Sequence, residues 1–180
     1  MGKYVIPAFT TGDEIKKVRQ ALGMTQKEFA LFAGCSKPTV ERWESSDKPV
    51  TGPVVTLLEL LKRDSEIPLK LMIPNEKLKL RLYYMYGDMV CTIIDVDETV
   101  RKVRVRNYTD NQMFRAFGRN TEPTYDDYEE FIESRCFPKT RDKLKLELKR
   151  LDIPFYDPIL IIEKTEGRMS DDEFWIRLER

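Results

Sequence analysis

Apolar residues recur at helical spacing in four short runs over the first 62 positions, and at every second position through much of the following stretch. Ile15, Val18 and Leu22 share one face of a first helix. Phe29, Ala30 and Ala33 face inward on a second, Val40 and Trp43 on a third, and Val54, Leu57, Leu58 and Leu61 on a fourth running from Val54 to Lys62. The punctuation agrees with these runs. Thr11-Gly12-Asp13-Glu14 and Thr25-Gln26-Lys27-Glu28 each fit a capping box, in which Thr and Glu side chains satisfy backbone donors that a helix start leaves unpaired. Gly23 and Gly34 supply the left-handed conformation that ends a helix. Ser36 caps the third helix, which tolerates Pro38 in its first turn. Pro49, Gly52 and Pro53 separate the third helix from the fourth. Leu31 and Phe32 fall on the outer face of the second helix, where a second domain or a dimer mate would cover them.

The period changes after Lys62. Arg63 to Pro68 reads as a helix end and a connector, because proline disfavours helix in the residue before it. Leu78, Leu80, Leu82 and Tyr84 then alternate on one strand face. After Tyr86-Gly87-Asp88, Val90 to Val96 is apolar on both faces; after Asp97-Glu98-Thr99, Val103 and Val105 lie between arginines. This predicts a three-stranded antiparallel meander. Helices follow, one starting at Thr124 with Tyr128, Phe131 and Ile132 inward, one from Thr140 to Leu151, and one from Asp157-Pro158 through Ile162 that ends near Gly167. Phe174 to Leu178 suits a last strand. The pattern therefore predicts an all-α amino-terminal domain of four to five short helices over residues 1–66, and an α+β domain over residues 75–180.

Composition narrows the chemistry. Of 180 residues, 41% are hydrophobic and 34% charged, which suits a globular chain. No apolar run reaches the roughly 18 residues of a membrane span, and Met1 to Phe9 lacks a signal-peptide pattern, so a cytoplasmic location without membrane attachment is the expectation. Cys35, Cys91 and Cys136 lie far apart and suit free thiols. There is no histidine, which removes the commonest metal ligand and the commonest general base. No metal site, cofactor or enzymatic activity is expected. Asp126-Asp127 and Asp171-Asp172 read as helix-start acids. Net charge is zero, with ten Lys/Arg against eight Asp/Glu through Asp64 and 21 against 23 beyond it. That asymmetry is too small to identify a partner.

Two helices joined by a tight glycine-containing turn form a helix-turn-helix, in which one helix braces across phosphates and the next enters the DNA major groove. The stretch from Ile15 to Ala30, continued by Ala33-Gly34-Cys35-Ser36 and by Val40-Glu41-Arg42-Trp43-Glu44, resembles the Xre/Cro (phage-repressor) helix-turn-helix family over residues 11–62. The resemblance implies that Gln26 contacts a phosphate. It implies that Lys37, Thr39 and Arg42 face bases, with Glu41 beside them, and that Arg19 pairs with Glu44. Pro38 stands where the family often has a polar base-reader, so a thymine methyl becomes the available contact there. The plainer alternatives are a solvated Gln26, ordinary surface charges at Lys37 and Arg42, and a helix-turn-helix used for protein docking. Trp43 reads as core rather than a stacking platform.

No motif resemblance covers residues 75–180. The layout implies a sequence-specific DNA-binding transcriptional regulator, a repressor acting as a homodimer on double-stranded DNA. Its second domain would dimerise or receive a signal. The alternative is an antitoxin that binds a toxin through that domain and represses its own operon.

Overall fold

The computed structural model describes residues 4–180, so Met1 to Lys3 of the amino-terminal segment lie outside the described residues. It contains two compact units that divide between Ile73 and Pro74.

In the first unit, helix α1 spans Gly12–Ala21, α2 Gln26–Phe32, α3 Lys37–Glu44, α4 Pro53–Arg63 and α5 Ile67–Leu71. Ile15, Phe29, Val40, Leu58 and Leu61 are wholly buried or nearly so and form its core, with Val18, Leu22, Trp43 and Leu57 packed around them. The first three helices start at side-chain caps, Thr11, Thr25 and Ser36, whereas α4 and α5 open with a proline in the first turn. Thr25 and Glu28 complete a reciprocal capping box on α2, at 3.2 and 2.7 Å. On α1 only half of the predicted box forms. Thr11 accepts from the Glu14 amide, whereas the Glu14 carboxylate turns to Lys62 of α4 at 2.8 Å, binding the first helix to the fourth. Gly23 and Gly34 adopt φ of +69° and +65°, values that a residue with a Cβ adopts only with strain.

Two further sequence expectations change in this unit. Residues 63–68 are not merely a connector, because α5 begins at Ile67 with Pro68 in its first turn. Proline lacks only an amide that the helix start leaves unpaired, so it opens a helix as readily as it ends one. Phe32 is not an outer-face residue. It packs against the core, while Leu31 remains 83% exposed.

Gly12 marks the closest approach in the unit. A methyl group at this position would lie 2.3 Å from the Trp43 carbonyl oxygen and 3.1 Å from the Glu44 backbone. In an open helix, Gly→Ala stabilises by about 0.5–1 kcal/mol. Here the sign should reverse, with Gly12→Ala destabilising by roughly 1–3 kcal/mol through overpacking of α1 against the end of α3. Urea unfolding followed by Trp43 fluorescence checks this, and a stabilised variant would refute the close approach.

The second unit is a four-stranded antiparallel sheet with helices on one face. Strand β1 spans Leu80–Tyr86, β2 Met89–Asp97, β3 Lys102–Asn107 and β4 Phe174–Glu179, in the order β3-β2-β1-β4. The last strand pairs with the first, so β1 is central, not an edge of a meander. Leu78 lies outside β1, which starts two residues later. Helices α6 (Tyr125–Ser134), α7 (Leu144–Arg150) and α8 (Pro158–Thr165) bury Tyr128, Phe131, Ile132, Leu148, Ile161 and Ile162 against Leu82, Tyr84, Ile94 and Ile176 of the sheet. The Thr124–Asp127 box opens α6. Helix α7 begins at Leu144 and not at Thr140.

The opposite sheet face carries Tyr83, Met85 and Ile93, packed with Val90, Tyr108 and Trp175 of the same unit. Arg177 stacks over Tyr83 at 4.1 Å. The doubly apolar strand therefore finds cover for both faces within one chain. Its alternation does not by itself call for a second copy.

Candidate nucleic-acid interface

The arrangement of α2 and α3 is held by a buried polar cluster. Arg19 lies on α1 beside the core residue Val18, and Glu44 ends α3. The Arg19 fork donates from Nε to Glu44 Oε1 at 2.6 Å and from Nη2 to Oε2 at 2.9 Å. Its Nη1 donates to the Met24 carbonyl at 2.8 Å, in the turn before α2. Gln26, the first residue of α2, donates from Nε2 to Glu44 Oε2 at 2.9 Å. One carboxylate thus receives bonds from α1 and α2 while belonging to α3, and fixes all three helices. The two charged side chains keep only 11% and 6% of their exposure. Burial pushes the Glu44 carboxyl up, but the bonds from Arg19 and Gln26 outweigh it and hold the group below the usual glutamate range.

This gives Gln26 a contact that the sequence reading lacks. One of its two amide hydrogens is committed to Glu44. The signal was present in the spacing, since Gln26 opens the helix next to the turn that Arg19 spans, but no periodicity reveals a shared acceptor.

The outward side of α3 follows from what points inward. Val40 is buried, Trp43 packs on the core and Glu44 turns to Arg19, which leaves Pro38 and Arg42 on the opposite side with Thr39 and Glu41 flanking them. Lys37, Pro38 and Arg42 are exposed; Thr39 and Glu41 are half-buried. Their electrostatic states differ. Lys37 pairs with Glu41 at 2.8 Å, one turn along the helix. The Thr39 hydroxyl is 2.9 Å from that of Ser36, which caps the helix through the Thr39 amide. Arg42 makes no ion pair among the described residues, so its guanidinium donors are the most available on α3.

Asp126 and Asp127 do occupy the first turn of α6, with Asp127 in its capping box. Asp172 corrects the sequence reading. It precedes β4 and receives the buried Arg135 fork at 2.6 and 3.0 Å. No group of acids, cysteines or histidines among the described residues is arranged to hold a metal ion. All three cysteines are free. Among the described residues no helix is long and apolar enough to cross a membrane.

Three capped helices with a fourth packed on them, a glycine turn between the second and third, and a third helix that presents Arg42 on its outer side define the class of DNA-binding helix-turn-helix domains. Residues 15–61, about a quarter of the chain, match the helix-turn-helix family model, and the first unit is a helix-turn-helix domain of the Xre/Cro kind. That domain supports a DNA-binding transcription regulator. Comparison with curated proteins and with solved structures finds no match.

Proposed function

We propose that this chain is a sequence-specific transcriptional repressor that reads double-stranded DNA with α3 in the major groove. The observation that supports it most is the Arg19–Glu44–Gln26 cluster. It ties α1, α2 and α3 together and leaves the outer side of α3 with two internal ties, Lys37–Glu41 and Thr39–Ser36, and with Arg42 in neither. Arg42 has the fork geometry for a guanine edge, and Pro38 presents only carbon, which suits a thymine methyl. Lys37 and Thr39 reach bases or phosphates at the start of the helix, and Glu41 sets the direction of Lys37. Gln26 gives its remaining amide hydrogen to a phosphate, a contact that positions without specifying sequence.

One short reading helix makes few base contacts, so two copies of the chain bind two half-sites roughly 34 Å apart. The reading places the protein in the cytoplasm with the DNA. Selection of bound duplexes from a randomised pool by the full-length chain tests it. The expected product is a motif with two-fold symmetry and half-sites about one helical turn apart. Recovery of unselected sequence, or of a single half-site, contradicts the proposal.

A further inference from the structure

The second unit holds a partly open cavity of about 220 Å³ whose lining joins Arg135, Arg141 and Arg168 with Cys136 and the apolar Phe137, Ile161 and Met169, and includes no carboxylate. It lies between the end of α6, the segment leading to α7, helix α8 and the turn after it. Arg135 is the fixed member. Its Nε donates to the Gly167 carbonyl at 2.9 Å, and its terminal nitrogens bond Asp172 and the Phe174 carbonyl. It therefore shapes the wall, with its own charge met from behind.

Arg141 and Arg168 differ from it, being half-exposed at the rim. Arg141 has Glu147 at 4.0 Å and Arg168 has Glu166 at 2.7 Å, both pairs open to solvent. Such pairs contribute little and yield to a better acceptor. An arginine fork matches phosphate oxygens two at a time.

The volume is below the roughly 300–1,000 Å³ of sites for drug-sized ligands, and suits one or two phosphoryl groups. Burial pushes the Cys136 thiol up to about 12. Its sulfur instead faces the Ile132 carbonyl, so it lines the wall as a neutral group and not as a nucleophile.

We propose that this cavity binds a small phosphate-bearing effector, held by the guanidinium groups of Arg141 and Arg168. The ligand gives the second unit a signal to receive, which goes beyond the DNA reading and does not depend on it. Arg168 also stacks over Trp175 at 4.9 Å, so occupancy that redirects Arg168 alters the emission of that ring.

Inorganic phosphate and pyrophosphate, titrated into the full-length chain at constant ionic strength against chloride, test the proposal by calorimetry and by fluorescence. Saturable binding is expected, with an emission change that Trp175→Phe abolishes. Arg141→Gln and Arg168→Gln should each weaken the calorimetric affinity by about tenfold or more, the loss that accompanies one charge-assisted hydrogen bond. Both side chains are exposed, so both variants should fold. Absence of saturation beyond the chloride control overturns the proposal, as does unchanged affinity in both variants. A third arm measures duplex binding without phosphate. If the two variants lose DNA affinity there, the anion is the DNA backbone itself and the effector site is refuted.

Discussion

Arg19→Ala should destabilise the helix-turn-helix unit by about 3 kcal/mol or more, because it leaves the Glu44 carboxylate buried with Gln26 as its remaining hydrogen-bond donor. The loss exceeds that of a surface ion pair since both side chains are shielded from water. Arg19→Lys should fall between the two, keeping the charge but losing the fork. The acid response gives an independent check. Glu44 lies below its ordinary value of 4.5 when folded, so its stabilisation is complete above that pH and is lost as pH falls beneath it. Without Arg19, burial acts with less opposition, the folded value rises, and protonation no longer costs stability. Arg19→Ala should therefore be less stable at neutral pH yet less sensitive to acid than the parent. Trp43 fluorescence in urea at pH 7 and pH 4 measures both effects. An unchanged midpoint at pH 7 would remove the buried pair from the account.

Asp95→Ala should have an effect of similar or larger size in the second unit, about 3–5 kcal/mol. Arg81 of β1 and Asp95 of β2 face each other across the hairpin, with side chains only 4% and 3% exposed. Arg81 donates to the carboxylate at 2.6 and 3.0 Å and to the Pro74 and Glu76 carbonyls at 2.7 and 2.8 Å. Arg104 of β3 reaches the same carboxylate at 3.2 Å and the Glu76 carbonyl at 2.9 Å. Removing Asp95 leaves Arg81 without its hydrogen-bonded carboxylate and loosens the segment from Pro74 to Lys79 on the sheet. Trp175 emission in urea should show the lost stability, and trypsin should cut sooner after Lys77. The double change Arg81→Met with Asp95→Leu should recover much of the loss, since apolar side chains of matching volume can replace a buried pair. A double variant no better than Asp95→Ala would mean that the carbonyl contacts, and not the ion pair, dominate.

The helix-turn-helix was legible in the sequence because each of its signals is local. Thr25, Glu28, Gly23, Gly34 and Ser36 each act within one turn of their own position, and Val40 and Trp43 declare the inner side of α3 by spacing alone. The contacts that fix the helices to one another were less legible. Nothing local tells Glu14 to choose Lys62 over its own helix start, or Gln26 to share an acceptor with Arg19. Gly12 reads as an ordinary cap neighbour until the α3 carbonyls come within reach. In the second unit, β4 was visible as a short apolar run, but its place beside β1 depends on a pairing between residues far apart in the chain. Arg81 and Asp95 interrupt strands that are otherwise apolar, and that interruption was the available signal for the buried pair. The cavity beside Arg135 had no sequence signal, because its arginines come from three separate segments.

The claim that α3 reads bases is tested most directly by Arg42→Ala. The duplex selected by the parent chain and a scrambled duplex of the same length are titrated with both proteins at one salt concentration. The ratio of the two affinities should fall by roughly tenfold to a hundredfold in the variant, consistent with about 1–3 kcal/mol for a bidentate base contact, while binding to the scrambled duplex changes far less. Lys37→Ala should move the ratio in the same direction. A ratio that survives both substitutions would mean that α3 does not lie in the groove as described.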